Sequence, residues 1–352
     1  MREKMLKRIT AVVLFTVFLA LPGCGSVTEP VQTAEPETNA SSGEDIRIGM
    51  IFDTFVVERW IRDRDAFLAT AQDLGATVDI TNSNGDIKRQ EEMIRYYTDA
   101  GFDAIVIVAI DSNPLVRAIR DARAKGVKVI SYDRLVRNAG TDLYVSFDNR
   151  EIGELMAKEA LAHVREPEND VLLVLGPKSD NNVLLIREGI EAVFESAPSV
   201  EVLDEAYIDD WDAELAARYV EEHLDLVREA EVIICGNDSF AGSISRTMSA
   251  NRIPLPAIIG QDADLDACQR IVEGTQTMTV YKPVHLLAQE AARLTVAMAK
   301  GEAFETDGTL EDGSTSIAVR LLSPQAVTES NMEETVVESG FHTRDEVYLN
   351  VR

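Results

Sequence analysis

The feature that most constrains the fold is a set of short, almost uninterrupted apolar runs that alternate with amphipathic helical stretches. The run Ala104-Ile105-Val106-Ile107-Val108 shows no alternation of apolar and polar residues, which is typical of a parallel strand covered on both faces. Helical patterns such as Glu58–Leu74 and Asn113–Lys125 lie between successive runs. Repeated units of this kind predict a doubly wound, parallel-sheet α/β fold.

The predicted strands fall into two series along the chain. The first comprises Ile46–Ile51, Thr77–Thr81, Ala104–Ile110, Val127–Tyr132 and Leu143–Ser146, and the second comprises Val171–Leu175, Val200–Tyr207, Glu231–Cys235, Ala257–Ile259 and Thr277–Tyr281. Further helical patterns occupy Glu151–His163, Asp212–Val227 and Pro283–Lys300. Two series predict two similar lobes, and 352 residues suit two domains of ordinary size.

The N-terminus carries the pattern of an export signal. Four basic residues in the first eight positions precede the apolar run Ile9–Leu21, which is shorter than the roughly 20 residues of a permanent membrane helix. The run ends in Leu21-Pro22-Gly23-Cys24, which resembles a bacterial lipobox and predicts a signal peptide over 1–23 with a lipidated Cys24. The alternative is an ordinary secretory signal. Residues 24–44 are rich in Ser, Thr, Pro, Glu and Ala and indicate a disordered tether.

Charge and cysteine content exclude several classes of function. Acidic residues number 61 against 34 basic ones, for a formal net charge of -27. Such a surface repels phosphate backbones, so nucleic acid is excluded as a main partner. Three cysteines and four histidines are too few for a disulfide scaffold or a zinc framework. Cys235 and Cys268 are interpreted as buried thiols, with a disulfide between them as the alternative.

Polar and aromatic side chains recur just after the predicted strands, which is where ligands bind to open α/β sheets. From the first series come Arg59, Trp60, Asp133 and Arg134, and from the second come Asn181, Asn182, Trp211, Asn237, Asp262 and Lys282. Carboxylates accept hydrogen bonds, guanidinium groups donate them and amides do both, as a neutral polyhydroxyl ligand requires. The two tryptophans provide ring faces for sugar C–H groups. Filling of gaps between the lobes is the alternative for these rings.

No motif indicates catalysis, a metal or a cofactor. The stretch Asp262–Glu273 imitates a calcium loop, but Ala267 stands where that loop requires glycine. No nucleophile elbow, Walker loop or dinucleotide fingerprint is present in the sequence. A binding protein is therefore predicted, and a secreted sugar-processing enzyme is the less favoured alternative.

Several motifs together resemble one known family. They are Glu58-Arg59-Trp60, Tyr132-Asp133-Arg134, Ser146-Phe147-Asp148-Asn149, Asp180-Asn181-Asn182, Gly260-Gln261-Asp262-Ala263-Asp264, the run from Gly274 to Pro283 and Gly340-Phe341-His342. From about Ile46 to the C-terminus, the chain resembles the periplasmic sugar-binding proteins of ABC importers, of the ribose and galactose type. Two positions depart from the family pattern, since Asp210 replaces a frequent glycine and Tyr207 replaces a tryptophan.

The resemblance implies two lobes joined by three chain crossings that form a hinge. The N-terminal lobe would comprise 45–148 and about 283–312, and the C-terminal lobe would comprise 149–282 and about 313–352. Arg59, Trp60, Asp133 and Arg134 would bind sugar from the first lobe, Asn181 or Asn182, Trp211, Asn237 and Asp262 from the second, and Lys282 from a crossing. No cofactor is implied.

The resemblance also implies a ligand, partners and a location. D-xylose is the first expectation for the sugar, and another pentose or a hexose is the alternative. The partners would be the permease and ATPase of an ABC importer. A sensory role through a chemoreceptor or a membrane kinase is the alternative to transport. The protein would be exported to the periplasm or outer cell surface and held at the membrane by Cys24.

Overall fold

The computed structural model describes residues 46–56, 59–111, 114–165 and 170–351. The strands are β1 Ile46–Phe52, β2 Ala76–Asn82, β3 Ala104–Ile107, β4 Lys128–Tyr132, β5 Leu143–Phe147, β6 Asp170–Leu175, β7 Glu201–Tyr207, β8 Val232–Cys235, β9 Ala257–Gln261, β10 Met278–Tyr281, β11 Gly308–Glu311, β12 Ser316–Leu322 and β13 Gln325–Val327. The helices are α1 Arg59–Asp73, α2 Ile87–Asp99, α3 Val116–Ala124, α4 Asn149–His163, α5 Asn181–Phe194, α6 Ala213–Glu222, α7 Leu224–Glu229, α8 Asp238–Ala250, α9 Leu265–Val272, α10 Val284–Lys300 and α11 Arg344–Val347.

These strands form two sheets. The first has the order β11-β12-β5-β4-β3-β1-β2 and the second the order β13-β10-β9-β8-β6-β7. Neighbouring strands pair in parallel, except where β11 meets β12 and where β13 meets β10. The first predicted series of strands lies in one sheet and the second series in the other, so the prediction of two doubly wound lobes is confirmed.

Burial of β3 on both faces of the sheet explains the apolar run from Ala104, from which the α/β fold was predicted. In β3, Val106 packs in a core that includes Phe67 of α1, while Ile105 packs on the opposite face with Ile119 of α3. Every residue of β3 is buried. A strand enclosed in this way has no solvent side, so no position in it favours a polar residue.

The chain passes between the two sheets three times. The crossings lie between β5 and α4, between β10 and α10, and between β12 and β13. Helix α4 packs on α5 and on the second sheet, whereas α10 packs on α1 and the first sheet. Strand β12 pairs in parallel with β5. The last crossing therefore follows Leu322. This corrects the expected boundary near residue 312, because the β11–β12 hairpin extends the first sheet by two strands at its edge.

The predicted signal peptide, the lipobox residue Cys24 and the tether lie outside the described residues. Within the described ranges, no helix is both long enough and apolar enough to cross a bilayer.

Candidate ligand-binding site

A cavity lies between the lobes, where the carboxyl ends of strands from both sheets meet. About 420 Å³ of space, part of it open to solvent, lies between its lining atoms. It is lined by Arg59, Trp60, Asp133, Arg134, Asn149, Asp180, Asn182, Trp211, Asn237, Gln261, Asp262 and Lys282. Asp133, Asp262 and Lys282 directly follow strands of the two sheets. The other lining residues, apart from Gln261 at the end of β9, lie further along the loops and helices after such strands, so both sheets converge on the cavity at their carboxyl ends.

Of the residues singled out from the sequence, Asn181 is the one that does not line the cavity. Asn181 and Asn182 are the first two residues of α5. The side chain of Asp180 caps that helix by accepting a hydrogen bond from the backbone N–H of Asn182 at 2.9 Å. Successive residues of a helix point about 100° apart, so only one of the two asparagines faces the cavity. Asn182 is the buried one.

Three residues line the cavity that the sequence analysis did not single out, namely Asn149, Asp180 and Gln261. A signal for each existed in the sequence, because all three stand inside motifs that carry the family resemblance. Asp180 also belongs to the polar stretch after β6. Standing next to a predicted site residue in the sequence is weak evidence by itself. A residue that lines the cavity and a residue that only caps a helix can both occupy such a position.

Arg59 is held by two carboxylates at the base of the first-lobe wall. Its Nη2 lies 2.8 Å from Asp133 Oδ2 and 3.2 Å from Asp63 Oδ1. Tyr132 donates its hydroxyl proton to the same Asp63 oxygen. Arg59 and both carboxylates are almost completely buried. The network orients the guanidinium group before any ligand arrives, which lowers the ordering cost of binding.

The ionic state of this network follows from its mutual charges. Burial lowers the pKa of Arg59, but Asp133 and Asp63 outweigh burial and hold that pKa well above its usual value. Burial raises the pKa of Asp133, but the charges of Arg59, Lys282 and Arg134 outweigh it and leave that pKa below its usual value. Arg59 and Asp133 are therefore both charged at neutral pH.

Arg134 connects the two lobes. Its Nη1 lies 2.6 Å from Asp53 Oδ2 in the first lobe, and its Nε lies 3.0 Å from Asp180 Oδ2 in the second. Burial lowers the pKa of Arg134, but the charges of Asp53 and Asp180 outweigh it and the pKa is raised. A buried, forked cation between two carboxylates is rigid and makes strong, directional hydrogen bonds.

Hydrogen bonds from uncharged side chains add to this cross-lobe contact. Asn182 in the second lobe donates from Nδ2 to the backbone oxygen of Asp133 at 3.1 Å and to its Oδ1 at 3.2 Å. Tyr144 of β5 donates to Asn182 Oδ1 at 3.2 Å. The lobes therefore face each other in a closed arrangement, with side chains of each paired to the other.

The Asp262 and Lys282 side chains form the opposite wall. Lys282 Nζ lies 2.6 Å from Asp262 Oδ1. Asp262 has a φ of 103° and Asp133 a φ of 61°, which are left-handed values that residues with a Cβ rarely adopt. Each of these carboxylates thus sits on a turn at the end of a strand. Such strained turns are frequent at binding sites, where they direct a side chain towards a ligand.

The two tryptophans contribute differently to the wall. Trp60 is buried against Phe52, and the Arg59 guanidinium carbon lies 4.4 Å from its ring centroid. Trp211 follows β7 in a short 3₁₀ turn and donates from Nε1 to Asp180 Oδ2 at 3.3 Å. Both line the cavity. Trp60 also belongs to the hydrophobic core, so this ring both lines the cavity and packs in the core. Its contact with a sugar stays a prediction.

The charges of the cavity wall balance. Arg59, Arg134 and Lys282 oppose Asp133, Asp180 and Asp262. Four buried polar atoms of lining residues have no hydrogen-bond partner among the described residues. Asp262 Oδ1 is one of them and has an ion pair with Lys282, which leaves Arg59 Nε, Trp60 Nε1 and Gln261 Oε1. A wall with equal numbers of cations and anions favours a ligand without net charge. Unused donors and an acceptor fit one that both donates and accepts hydrogen bonds.

No metal-binding chemistry accompanies this wall. Within the described ranges, no group of three or more His, Cys, Asp or Glu side chains is placed to hold a metal ion. Cys235 and Cys268 are free, buried thiols, which decides against a disulfide between them. Burial raises the pKa of both thiols well above the ordinary value.

Comparison with known families decides the class of the chain. Residues 48–303 match the model of the periplasmic binding protein domain. The chain belongs to the periplasmic binding protein family. Type I periplasmic binding proteins have the two parallel-sheet lobes seen here, and the position of the cavity between the lobes is consistent with that class.

This periplasmic binding protein is most informatively compared with three curated relatives. It is 37% identical to the D-xylose-binding periplasmic protein of Haemophilus influenzae, over 88% of this chain and 95% of that protein. The corresponding protein of Escherichia coli is 36% identical, over 88% of this chain and 94% of its own. The multiple sugar-binding periplasmic receptor ChvE of Rhizobium radiobacter is 27% identical, over 85% of this chain and 92% of its own.

Solved structures place the fold in the same group. A carbohydrate transporter solute-binding protein from Chloroflexus aurantiacus, in complex with D-glucose, is 27% identical with a TM-score of 0.77, covering 85% of this chain and 97% of that one. An ABC transporter solute-binding protein from Clostridium phytofermentans with bound β-D-glucose has a TM-score of 0.80 at 22% identity, covering 86% and 99%. The second likeness concerns the fold alone.

Proposed function

We propose that this protein binds D-xylose between its lobes, outside the cytoplasmic membrane, and delivers it to the permease of an ABC importer powered by its ATPase. The observation that carries the proposal is a cavity of balanced charge whose hydrogen-bonding groups come from both lobes. The choice of sugar is supported by the 37% and 36% identity to D-xylose-binding periplasmic proteins. No chemical step is part of the proposal.

The physical chemistry of the wall supports a monosaccharide. Each sugar hydroxyl donates one hydrogen bond and accepts others, and a buried hydroxyl without a partner costs about 1–3 kcal/mol. Asp133 and Asp262 supply acceptors, while Arg59 supplies a forked donor. A wall with fixed donors and acceptors therefore selects a sugar by the stereochemistry of its hydroxyl groups. The ring of Trp211 supplies a face for the C–H groups.

Lobe closure is the proposed mechanism. Arg134 with Asp180, and Asn182 with Asp133, pair across the lobes. A ligand favours the closed arrangement only through contacts that the open one lacks. Sugar bound to both half-sites would stabilise these pairs, and the permease would recognise the closed outer surfaces.

The first experiment is a calorimetric titration with D-xylose, D-ribose, L-arabinose and D-glucose at neutral pH. We expect D-xylose to bind with one site per chain and with the highest affinity, and to be recovered unchanged. Arg117→Ala is a matched control, because that side chain is 85% exposed and its loss leaves the cavity intact. Tighter binding of a hexose, or a reaction product, would contradict the proposal.

Export and anchoring are a separate part of the proposal. The basic, apolar and Gly23-Cys24 pattern supports cleavage before Cys24 and its lipidation. Labelled palmitate should be incorporated into the wild-type chain but not into Cys24→Ser, and globomycin should block processing of the former alone. A soluble wild-type product without the palmitate label would contradict the proposed lipid anchor. The proposal of sugar binding would be unaffected.

A further inference from the structure

The turn that carries Asp262 into the cavity wall is held by two side chains that do not line the cavity. Asp262 and Ala263 have φ values of 103° and 53°, and torsions of this kind persist only where surrounding contacts hold them. Ala263 N donates a hydrogen bond to Thr279 Oγ1 at 3.1 Å, and Asp264 N donates one to Asp238 Oδ2 at 3.1 Å. Two successive backbone N–H groups of the turn are therefore bound by side chains.

The Thr279 and Asp238 side chains also bind each other. Thr279 Oγ1 donates to Asp238 Oδ2 at 2.7 Å. A threonine hydroxyl has one proton and two lone pairs, so it can give that proton to Asp238 while it accepts from Ala263. Both side chains are fully buried. The carbonyl oxygen of Ala263 lies 2.8 Å from His342 Nε2, so different side chains hold the two polar groups of this residue.

Further contacts fix the position of Asp238. Gln276 Nε2 donates to Asp238 Oδ1 at 2.8 Å, and Gln276 Oε1 accepts from Arg270 Nε at 3.0 Å. Arg270 also donates from Nη2 to the Asp238 carbonyl oxygen at 3.1 Å. Strand β9 passes so close to this carboxyl group that a Cβ at Gly260 would overlap Asp238 Oδ1. The Asp238 side chain is therefore held on several sides.

This network joins two separate parts of the second-lobe wall. Asn237, immediately before Asp238, lines the cavity and caps α8 by accepting from Phe240 N at 2.9 Å. Asp262 lines the cavity at the end of β9, which pairs with β8. Asp238 is thus covalently joined to one wall residue and hydrogen-bonded to the turn that carries the other. Its position determines how Asn237 and Asp262 are placed relative to each other.

We propose that Asp238 and Thr279 are positioning residues that form a clamp on the Asp262 turn and so hold its carboxylate where it can accept from a sugar hydroxyl. The inference rests on the proposed function, because it takes Asp262 as a ligand contact. The ion pair with Lys282 holds the carboxylate itself, whereas the clamp holds the backbone that carries it. A turn that is ordered before binding spares the ligand the cost of ordering it.

Thr279→Val is the main test, because valine has nearly the shape of threonine and lacks the hydroxyl group. We expect the affinity for D-xylose, measured by calorimetry at pH 7.5, to fall by about five- to twentyfold. Thr279→Ser restores the hydroxyl and should bind within about twofold of the wild type. Unchanged affinity in Thr279→Val, or an equal loss in the valine and serine variants, would overturn the inference. Thr279→Ala replaces the valine variant if that one does not fold.

Thr295→Val is the matched control for a loss of stability alone. Thr295 is also fully buried, and its hydroxyl donates to the Ala291 carbonyl oxygen at 2.7 Å within α10. Removal of this hydroxyl should lower the free energy of unfolding in urea and leave the affinity for D-xylose at the wild-type value. A loss of affinity in Thr295→Val as large as that in Thr279→Val would contradict a positioning role.

A double-mutant cycle tests whether the clamp acts through Asp262. Asp262→Asn should weaken D-xylose binding by about tenfold or more, because a charged acceptor is lost from the wall. Added to Asp262→Asn, Thr279→Val should change affinity by less than about twofold, since residues that act as one unit are not additive. Independent, additive losses would refute the route through Asp262.

A measurement without sugar distinguishes failure of the clamp from failure of the proposed function. Hydrogen exchange followed by NMR should show the Ala263 amide exchanging about tenfold or more faster in Thr279→Val than in the wild type, and at the wild-type rate in Thr279→Ser. An unchanged Ala263 rate in Thr279→Val would refute the clamp whatever the ligand. Absence of D-xylose binding by the wild type would contradict the proposed function instead.

Discussion

Backbone torsions at single residues shape the cavity wall. Asp133, Trp211 and Asp262 all combine a positive φ with a place in that wall. Such torsions cost on the order of 1–3 kcal/mol each and persist only where surrounding contacts hold them. The sequence predicted these residues as polar or aromatic strand ends. It did not predict their conformation, because aspartate and tryptophan adopt other torsions in most loops.

Arg134 is the residue whose removal should weaken sugar binding most clearly. Arg134→Ala takes away a buried forked donor in the cavity wall, and we expect binding to D-xylose to weaken by about 2–4 kcal/mol. It also leaves Asp53 and Asp180 without their common cation. Calorimetry and thermal unfolding measure the two effects separately.

Arg134→Lys and Arg117→Ala serve as comparisons for that variant. Lysine keeps the charge but not the fork, so its loss of affinity should be intermediate. Arg117→Ala should bind as the wild type does, since Arg117 is on the surface. A loss below a few tenths of a kcal/mol for Arg134→Ala would show that Arg134 does not contact the ligand.

Asp210 should tolerate glycine better than alanine. Its φ of 56° is a left-handed value, and an L-residue without a hydrogen-bonding side chain loses about 1–2 kcal/mol there. We expect Asp210→Ala to lower the free energy of unfolding by roughly 1 kcal/mol and Asp210→Gly not to lower it. Urea denaturation of the three proteins measures this. Equal losses for alanine and glycine would indicate that the Asp210 side chain, and not its backbone, is what matters.

At the scale of elements, helix phase and the glycines beneath side chains decide what faces the cavity. The start of α5 places Asp180 and Asn182 in the wall and turns Asn181 away. Gly176, just after β6, lies under Trp211, and a Cβ at that position would be 2.4 Å from the ring. The orientation of Asn182 and the contact of Gly176 with Trp211 both depend on how one element packs against another. A local pattern in the sequence does not predict such packing.

Gly176→Ala should displace Trp211 from the wall. We expect a loss of stability of about 1–3 kcal/mol from overpacking and a loss of D-xylose affinity of roughly tenfold or more, equivalent to about 1.4 kcal/mol. Trp211→Phe removes the ring atoms that the new methyl group would strike. The double variant should therefore be more stable than the sum of the single losses predicts. Strict additivity of the two losses would contradict the clash.

At the scale of the whole molecule, buried carboxyl groups make stability depend on pH. Asp238 is fully buried at the start of α8 and accepts hydrogen bonds from Gln276 Nε2 at 2.8 Å, from Thr279 Oγ1 at 2.7 Å and from Asp264 N at 3.1 Å. Burial, followed by the charge of Asp262, raises its pKa to about 7. Between the ordinary aspartate pKa and about pH 7, Asp238 therefore stays protonated in the folded protein, whereas the same carboxyl group is ionised in the unfolded chain.

Asp238→Asn should remove a pH dependence of stability. Between the ordinary aspartate pKa of about 3.9 and the folded value near 7, the folded chain binds more protons than the unfolded chain. The contribution of Asp238 to the free energy of unfolding therefore falls with rising pH, by up to about 1.4 kcal/mol per pH unit, and levels off above pH 7. Urea denaturation from pH 4.5 to 8 measures the slope.

The comparison that isolates Asp238 uses a surface aspartate. Asp225 is 98% exposed at its side chain, so Asp225→Asn should keep the wild-type slope, while Asp238→Asn should show a smaller fall over the same range. The asparagine variant starts from lower stability, because its amide nitrogen cannot accept a hydrogen bond. Identical slopes in the wild type and Asp238→Asn would mean that this carboxyl is ionised throughout.

The sequence by itself determined the α/β class, the two lobes and most of the residues around the cavity. Strand runs and helix periods are local properties, and the rule that ligands bind at the carboxyl ends of parallel strands converts them into a site. Only the tertiary structure decided that β12 completes the first sheet, that Arg134 bridges Asp53 and Asp180, and that His342 reaches Ala263. These contacts join segments far apart in the chain, and their geometry depends on how the two lobes pack together.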